Sequence, residues 1–184
     1  VLGTCKLDYV PHAALVGERA LSACIAHNLE DGIRLHRTWL REEEHDGAPC
    51  IASAFDALEL LIERGFVITL LSSREERSLH RLLALHRIKE RFIHIAAGGC
   101  EGYYKPHPLA YDSTVAHLRE LGIAPRECVM VGDTNSDIEG AATMGMRSIL
   151  VKTGAYATVT RVRPTEMVET FAKVPKVIER WNQH

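Results

Sequence analysis

Three places along the chain combine residue types that could do chemistry. The first is Gly132-Asp133-Thr134-Asn135-Ser136-Asp137, where two carboxylates stand four residues apart behind a short apolar run, residues 128–131. That run reads as a buried strand of a parallel sheet, which delivers Asp133 to its carboxyl end. Asp137 falls on the first turn of a small-residue helix and faces back toward the same crevice. Open α/β sheets bind their ligands at this edge, and two acids there suit a divalent cation beside a phosphate. Both acids also fit a plainer role, as favourable charges at the start of a helix near Ser136.

The second place is Ser72-Ser73, directly after six apolar or β-branched residues, 66–71. At a strand-to-helix turn a hydroxyl and nearby backbone amides suit an anion. The plainer alternative is helix capping, since Ser72-x-x-Glu75 and Ser73-x-x-Glu76 both fit a capping box. The third is Lys105, in Tyr103-Tyr104-Lys105-Pro106-His107-Pro108, a loop stiffened by its two prolines. A phosphate near a metal needs a cation to offset its charge, and lysine serves as a point charge. Most lysines, by contrast, are merely solvated. His80, His86, His94, His107 and His117 share no metal-ligand spacing and read as structural or surface residues.

The elements that must position these groups alternate in type. A helix over 51–64 stopped by Gly65 precedes the strand at 66–71, and a helix over 74–86 precedes a strand at 92–97. A helix over 108–121, punctuated by Gly122 and Pro125, leads to the strand at 128–131. A strand at 147–151 and a last helix at 175–181 complete the pattern. Strands alternating with helices at this spacing predict βαβ units and a parallel sheet flanked by helices, an α/β fold. Ahead of them, residues 11–44 carry apolar positions at helical spacing broken at Asp31-Gly32, and Asp46-Gly47-Ala48-Pro49 marks a boundary.

Composition narrows the function classes. The chain has 184 residues, 46% hydrophobic and 25% charged, with a net charge of −2. That is an ordinary globular composition without the basic footprint of a nucleic-acid binder. No apolar run is long enough for a membrane span, and residues 1–20 lack the layout of a secretory signal. Cys5, Cys24, Cys50, Cys100 and Cys128 are odd in number and lack CxxC spacing, which argues against a disulfide framework and for a reducing, cytoplasmic setting. The chain begins with Val1 instead of Met, so a segment upstream is expected.

Taken in order, a hydrophobic strand ending in Ser72, a loop Lys105-Pro106, and a strand ending Gly132-Asp133-x-x-x-Asp137 resemble motifs two, three and four of the haloacid dehalogenase-like hydrolase superfamily. From about Gly47 to Trp181 the chain looks like the phosphoglycolate-phosphatase-type branch. The resemblance implies a Rossmann-like core over residues 47–184. It also implies a short region, residues 1–46, holding part of the motif-one strand and a helical cap. It further implies Mg²⁺ and phosphoryl transfer from a small phosphorylated metabolite through an aspartyl-phosphate. Ser72 would bind the phosphoryl oxygens, with Ser73 where many members have Asn. Lys105 would neutralise phosphate and nucleophile. Asp133 would bind the metal, and Asp137 would support the metal site or orient the lysine. Catalytic roles thus fall on Ser72, Lys105 and Asp137, substrate binding on Ser72, Ser73 and Lys105, and metal binding on Asp133 and Asp137.

The departure is motif one, DxDx(T/V). No DxD occurs in the chain; Val1-Leu2-Gly3-Thr4 fits the tail of D-x-x-G-T with the nucleophile one position before Val1. Leu2 would then stand in the general acid's place, as in the dehalogenases. A second alignment puts Val1 already inside the cap, with motif one further upstream. Asp8 lacks the motif's second acid and glycine and reads as a surface residue. A Mg²⁺-dependent phosphatase is the first expectation. A 2-haloacid dehalogenase-like hydrolase is the second, and a catalytically inactive binding protein the third, since without a nucleophile no covalent intermediate forms. The N-terminal helices are also a candidate homodimer contact, because an amphipathic pair must cover its apolar face somewhere.

Overall fold

The structure, a computed structural model, describes residues 52–97, 103–152 and 161–182. They fall within one compact unit, Pro49–His184. The expectations for Val1-Leu2-Gly3-Thr4, Asp8, the helical cap and its dimer contact lie outside the described residues.

Helix α1 (Ala52–Glu63) turns Ala57 and Leu61 into the core. It ends at Gly65, whose φ of +80° lets the amides of Gly65 and Phe66 turn back onto the carbonyls of Ile62 and Leu61 at 2.9 and 3.1 Å. Strand β1 (Thr69–Ser72) follows, then α2 (Glu76–Leu85) with Leu79 and Leu83 buried. Strand β2 (His94–Ala97) lies parallel to β1, with Ser72 opposite Ala97. A 3₁₀ turn, Pro108–Tyr111, leads into α3 (Asp112–Glu120). Next come β3 (Val129–Gly132), α4 (Asn135–Thr143) and β4 (Arg147–Val151). Short β5 (Glu166–Val168) and α5 (Val174–Asn182) complete the unit.

Every strand pair is parallel, as expected, but the hydrogen bonding divides into two groups among the described residues: β1–β2 and β3–β4–β5. Shared side-chain packing joins them. Leu71 from β1 and Met130 from β3 both pack on a cluster of Ala110, Tyr111 and Val115. On the other side Ile68, Val129 and Val131 pack on Leu61, Ile149, Val151 and the buried face of α5. Burying apolar surface against both layers stabilises the unit by about 25 cal/mol per Å².

Several boundaries differ from the sequence reading. The strand expected at 66–71 is found at Thr69–Ser72, preceded by one further bond from the Ile93 amide to the Ile68 carbonyl at 3.0 Å, while Phe66 and Ile68 pack on the core. The helix expected over 108–121 opens instead as a 3₁₀ turn through Tyr111. The strand β5 was not anticipated: three residues, one charged and one exposed, carry no readable period. Among the described residues no helix is long and apolar enough to cross a membrane.

Candidate active site

Three of the residues singled out by sequence converge at the carboxyl ends of β1 and β3. The Lys105 ammonium donates to the Leu71 carbonyl at 3.0 Å and to Asp137 Oδ1 at 2.6 Å. The side chains of Lys105 and Asp137 are only 11% and 6% exposed, so this is a buried ion pair and not a solvated lysine. The Leu71 carbonyl belongs to the residue before Ser72, so one lysine ties the end of β1 to the first turn of α4. The Lys105–Pro106 peptide is cis.

The second oxygen of Asp137 is also occupied. Oδ2 accepts from the Thr134 amide at 3.1 Å and from Thr134 Oγ1 at 2.6 Å. Thr134 is the N-cap of α4 and Asp137 its third residue, so the pair forms a capping box. The capping role and the lysine-holding role therefore coexist in one carboxylate, with one oxygen given to each. The Lys105–Asp137 contact is the geometry that the second of the two roles the resemblance allows for Asp137, orienting the lysine, requires. Asp133 is half-buried at the end of β3, one residue past Gly132.

Ser72 is the last residue of β1, and its Oγ accepts from the Arg74 amide at 3.1 Å. A hydroxyl that accepts in this way keeps its single proton to donate, as binding an anionic oxygen requires. The capping alternative fails for both serines. The N-cap of α2 is Glu75, whose carboxylate accepts from the amides of Arg77 and Ser78 at 3.0 and 2.8 Å. Those backbone bonds hold the Glu75 carboxyl below the usual range. The helix begins two residues later than its apolar spacing suggested, which leaves Ser72 and Ser73 on the turn. Ser73 is half-buried there.

Sequence reasoning missed Tyr111. Its side chain is 1% exposed and its hydroxyl has no hydrogen-bond partner. Burial, with the nearby Asp137 carboxylate adding to it, pushes the phenol well above its ordinary value. Tyr111 follows Lys105 by six residues, but nothing in its sequence neighbourhood distinguishes it from a core aromatic. His107 Nδ1 accepts from the Leu109 amide, and His94 and His117 stack with centroids 5.0 Å apart. The described residues contain no cluster of three or more metal-ligating side chains.

An α/β unit that gathers a hydroxyl, a buried lysine and aspartates at the carboxyl ends of parallel strands belongs to the class that binds ligands at that edge. A family model described as HAD-hydrolase-like matches residues 103–174. The phosphoglycolate phosphatase of Aliivibrio fischeri is 26% identical over 126 residues, which cover 66% of this chain and 54% of that protein. Two solved structures share the fold. One is described as a predicted phosphoglycolate phosphatase from Haemophilus somnus: TM-score 0.71, 17% identity, covering 83% of this chain and 68% of the other. The other is a HAD phosphatase from Thermococcus onnurineus: TM-score 0.69, 20% identity, covering 96% and 90%. The chain is thus similar to the haloacid dehalogenase-like hydrolases, in sequence over residues 103–174 and in fold, and the curated proteins it resembles include phosphoglycolate phosphatases. It spans about half the length of the curated relative from Aliivibrio fischeri.

Proposed function

We propose that the protein is a Mg²⁺-dependent phosphomonoester hydrolase that acts on a small phosphorylated metabolite in the cytoplasm through an aspartyl-phosphate. The observation that carries this reading is the Lys105 ammonium, fixed between the Leu71 carbonyl and Asp137 beside the Ser72 hydroxyl. A cation with two of its three protons already committed has one left to aim at an incoming phosphoryl oxygen. Ser72 donates to a second oxygen, with Ser73 beside it on the same turn. Catalysis of phosphoryl transfer is chiefly positioning and charge compensation, and this arrangement supplies both.

The donor chemistry fits Mg²⁺, which takes one or two carboxylates and completes its shell with water and substrate phosphate. Asp133 is the carboxylate suited to hold it directly. Asp137, with both oxygens engaged, supports the site through Lys105. When bound, the ion offsets charge on the transferring group.

The test is phosphate release by the full-length protein from a panel of small phosphate esters. Release that requires Mg²⁺, stops with a chelator and falls away in Asp133→Asn is expected. Metal-independent halide release from 2-haloacids, with no phosphate from any ester, overturns the reading.

A further inference from the structure

Two elements meet at the site, and they meet at two points. The segment that begins at Lys105 and ends in the turn Pro108–Tyr111 touches α4 first through the Lys105–Asp137 ion pair. It touches α4 again where Tyr111 lies against Gly140. A Cβ built on Gly140 would overlap the Tyr111 hydroxyl and would stand 2.6 Å from Cζ and 2.9 Å from Cε2. Since Tyr111 is 1% exposed and packs among Leu71, Met130, Met144 and Met146, its ring cannot swing aside without disturbing the core. Gly140 follows Asp137 by three residues and so lies on the same face of the helix, one turn along.

We infer that Tyr111 is a positioning residue for the phosphoryl site: its hydroxyl end, seated on the bare backbone of Gly140, sets how closely α4 approaches the lysine-bearing segment, and so sets the Lys105–Asp137 contact. A single contact between two elements leaves them free to pivot about it. A second contact one helical turn away removes that freedom. The chemistry of the seat is unusual in a way that supports the assignment. A buried hydroxyl without a partner is destabilising, and a glycine in a helix interior is less favourable than an alanine. A phenylalanine in place of Tyr111 would spare the hydroxyl but still require the glycine, since its Cζ and Cε2 would stand 2.6 and 2.9 Å from a Cβ at position 140. The structure retains a combination that each local rule disfavours, and the two residues fit each other.

The experiment reads the ion pair directly and reads activity second. Lysine acylation is followed by mass spectrometry in the full-length protein, with exposed Lys173 and Lys176 as internal standards. In Gly140→Ala the added methyl pushes α4 off Tyr111, and Lys105 acylates at least about tenfold faster than in the unaltered protein. The double variant Tyr111→Leu, Gly140→Ala removes the overlapping hydroxyl together with Cζ and Cε2 and restores at least half of the protection. Glu139→Gly, which weakens α4 without touching the seat, leaves Lys105 protected. Should Gly140→Ala not fold, the double variant must still fold and keep Lys105 protected. Equal acylation in Gly140→Ala and the unaltered protein, a double variant no better than the single one, or an equal rise in Glu139→Gly each overturns the inference. The activity arm rests on the phosphatase reading: kcat in Gly140→Ala falls about 10- to 100-fold with KM nearly unchanged, the scale expected of a small misplacement. A protein with no phosphatase activity would leave the acylation arm intact, so the two failures are distinguishable.

Discussion

Gly132 and Asp137 are in contact through an absence. A Cβ built on Gly132 would overlap the carboxylate of Asp137 and stand 2.5 Å from its Cβ. The last residue of β3 is thus bare so that the first turn of α4 can fold its acid back over the strand end. The expected outcome for Gly132→Ala is a shift of Asp137 off Lys105, since any added atom occupies the carboxylate's place. Stability should fall by about 1–3 kcal/mol, as overpacking of a filled site does, and phosphate release by about tenfold or more. Thermal melts and kcat measured together check it; a variant with full activity and an unchanged midpoint counts against the contact.

Removing the lysine has a different signature. In Lys105→Met, Asp137 keeps its Thr134 bonds but loses the cation facing Oδ1 at 2.6 Å. Breaking a buried pair from one side leaves a charge uncompensated, at a cost of about 3 kcal/mol. Activity should drop about 100-fold or more, as when one preorganised donor to a transition-state anion is lost. Lys105→Arg should restore stability in part but not activity, because a planar fork cannot occupy the position of a compact ammonium held by a carbonyl and a carboxylate. Denaturant melts and phosphate release on the same preparations separate the two effects.

The cap of α4 carries a third outcome. Thr134→Val keeps the shape but deletes the hydroxyl that donates to Asp137 Oδ2 at 2.6 Å and accepts weakly from the Asp137 amide at 3.4 Å. Stability should fall by about 1–2 kcal/mol, the usual worth of an N-cap. Thr134→Ser, which retains the oxygen, should lose far less. Helix fraying at residues 135–137, followed by amide exchange, locates the damage.

How much of this was legible follows from where each signal lies. Asp133 and Asp137 sit behind a strand and Gly132 within six consecutive residues, so local pattern alone brought them together. Lys105 and Ser72 were found through their loop and turn context, but their convergence depends on parallel pairing between segments more than twenty residues apart, which no local window contains. The N-terminus of α2 was misplaced because Ser72 and Ser73 both fit the start of a capping box, whereas the backbone makes Glu75 the N-cap. Tyr111 was not legible at all. Its partner, Gly140, lies 29 residues away on another element, and a tyrosine in an apolar pattern looks like any core residue.

The stacked pair His94–His117 makes stability depend on pH at a distance from the chemistry. His94 Nε2 lies 3.4 Å from Ser113 Oγ, and His117 Nδ1 lies 3.8 Å from Glu120. Burial, and then the charge of His117, lowers the His94 pKa from its ordinary value of 6.5. A histidine whose folded pKa lies below its unfolded one is bound more readily by protons in the unfolded chain. Its contribution is therefore complete above pH 6.5 and is lost as pH falls from 6.5 down through the folded value. Unfolding free energy from urea melts should drop between pH 7.5 and pH 5 by more in the unaltered protein than in His94→Phe, which keeps the stacking surface and cannot titrate. Equal slopes in the two proteins would place the pH dependence elsewhere, and Glu75 offers a contrast: its lowered carboxyl pKa loses its contribution only as pH falls below the ordinary carboxylate range.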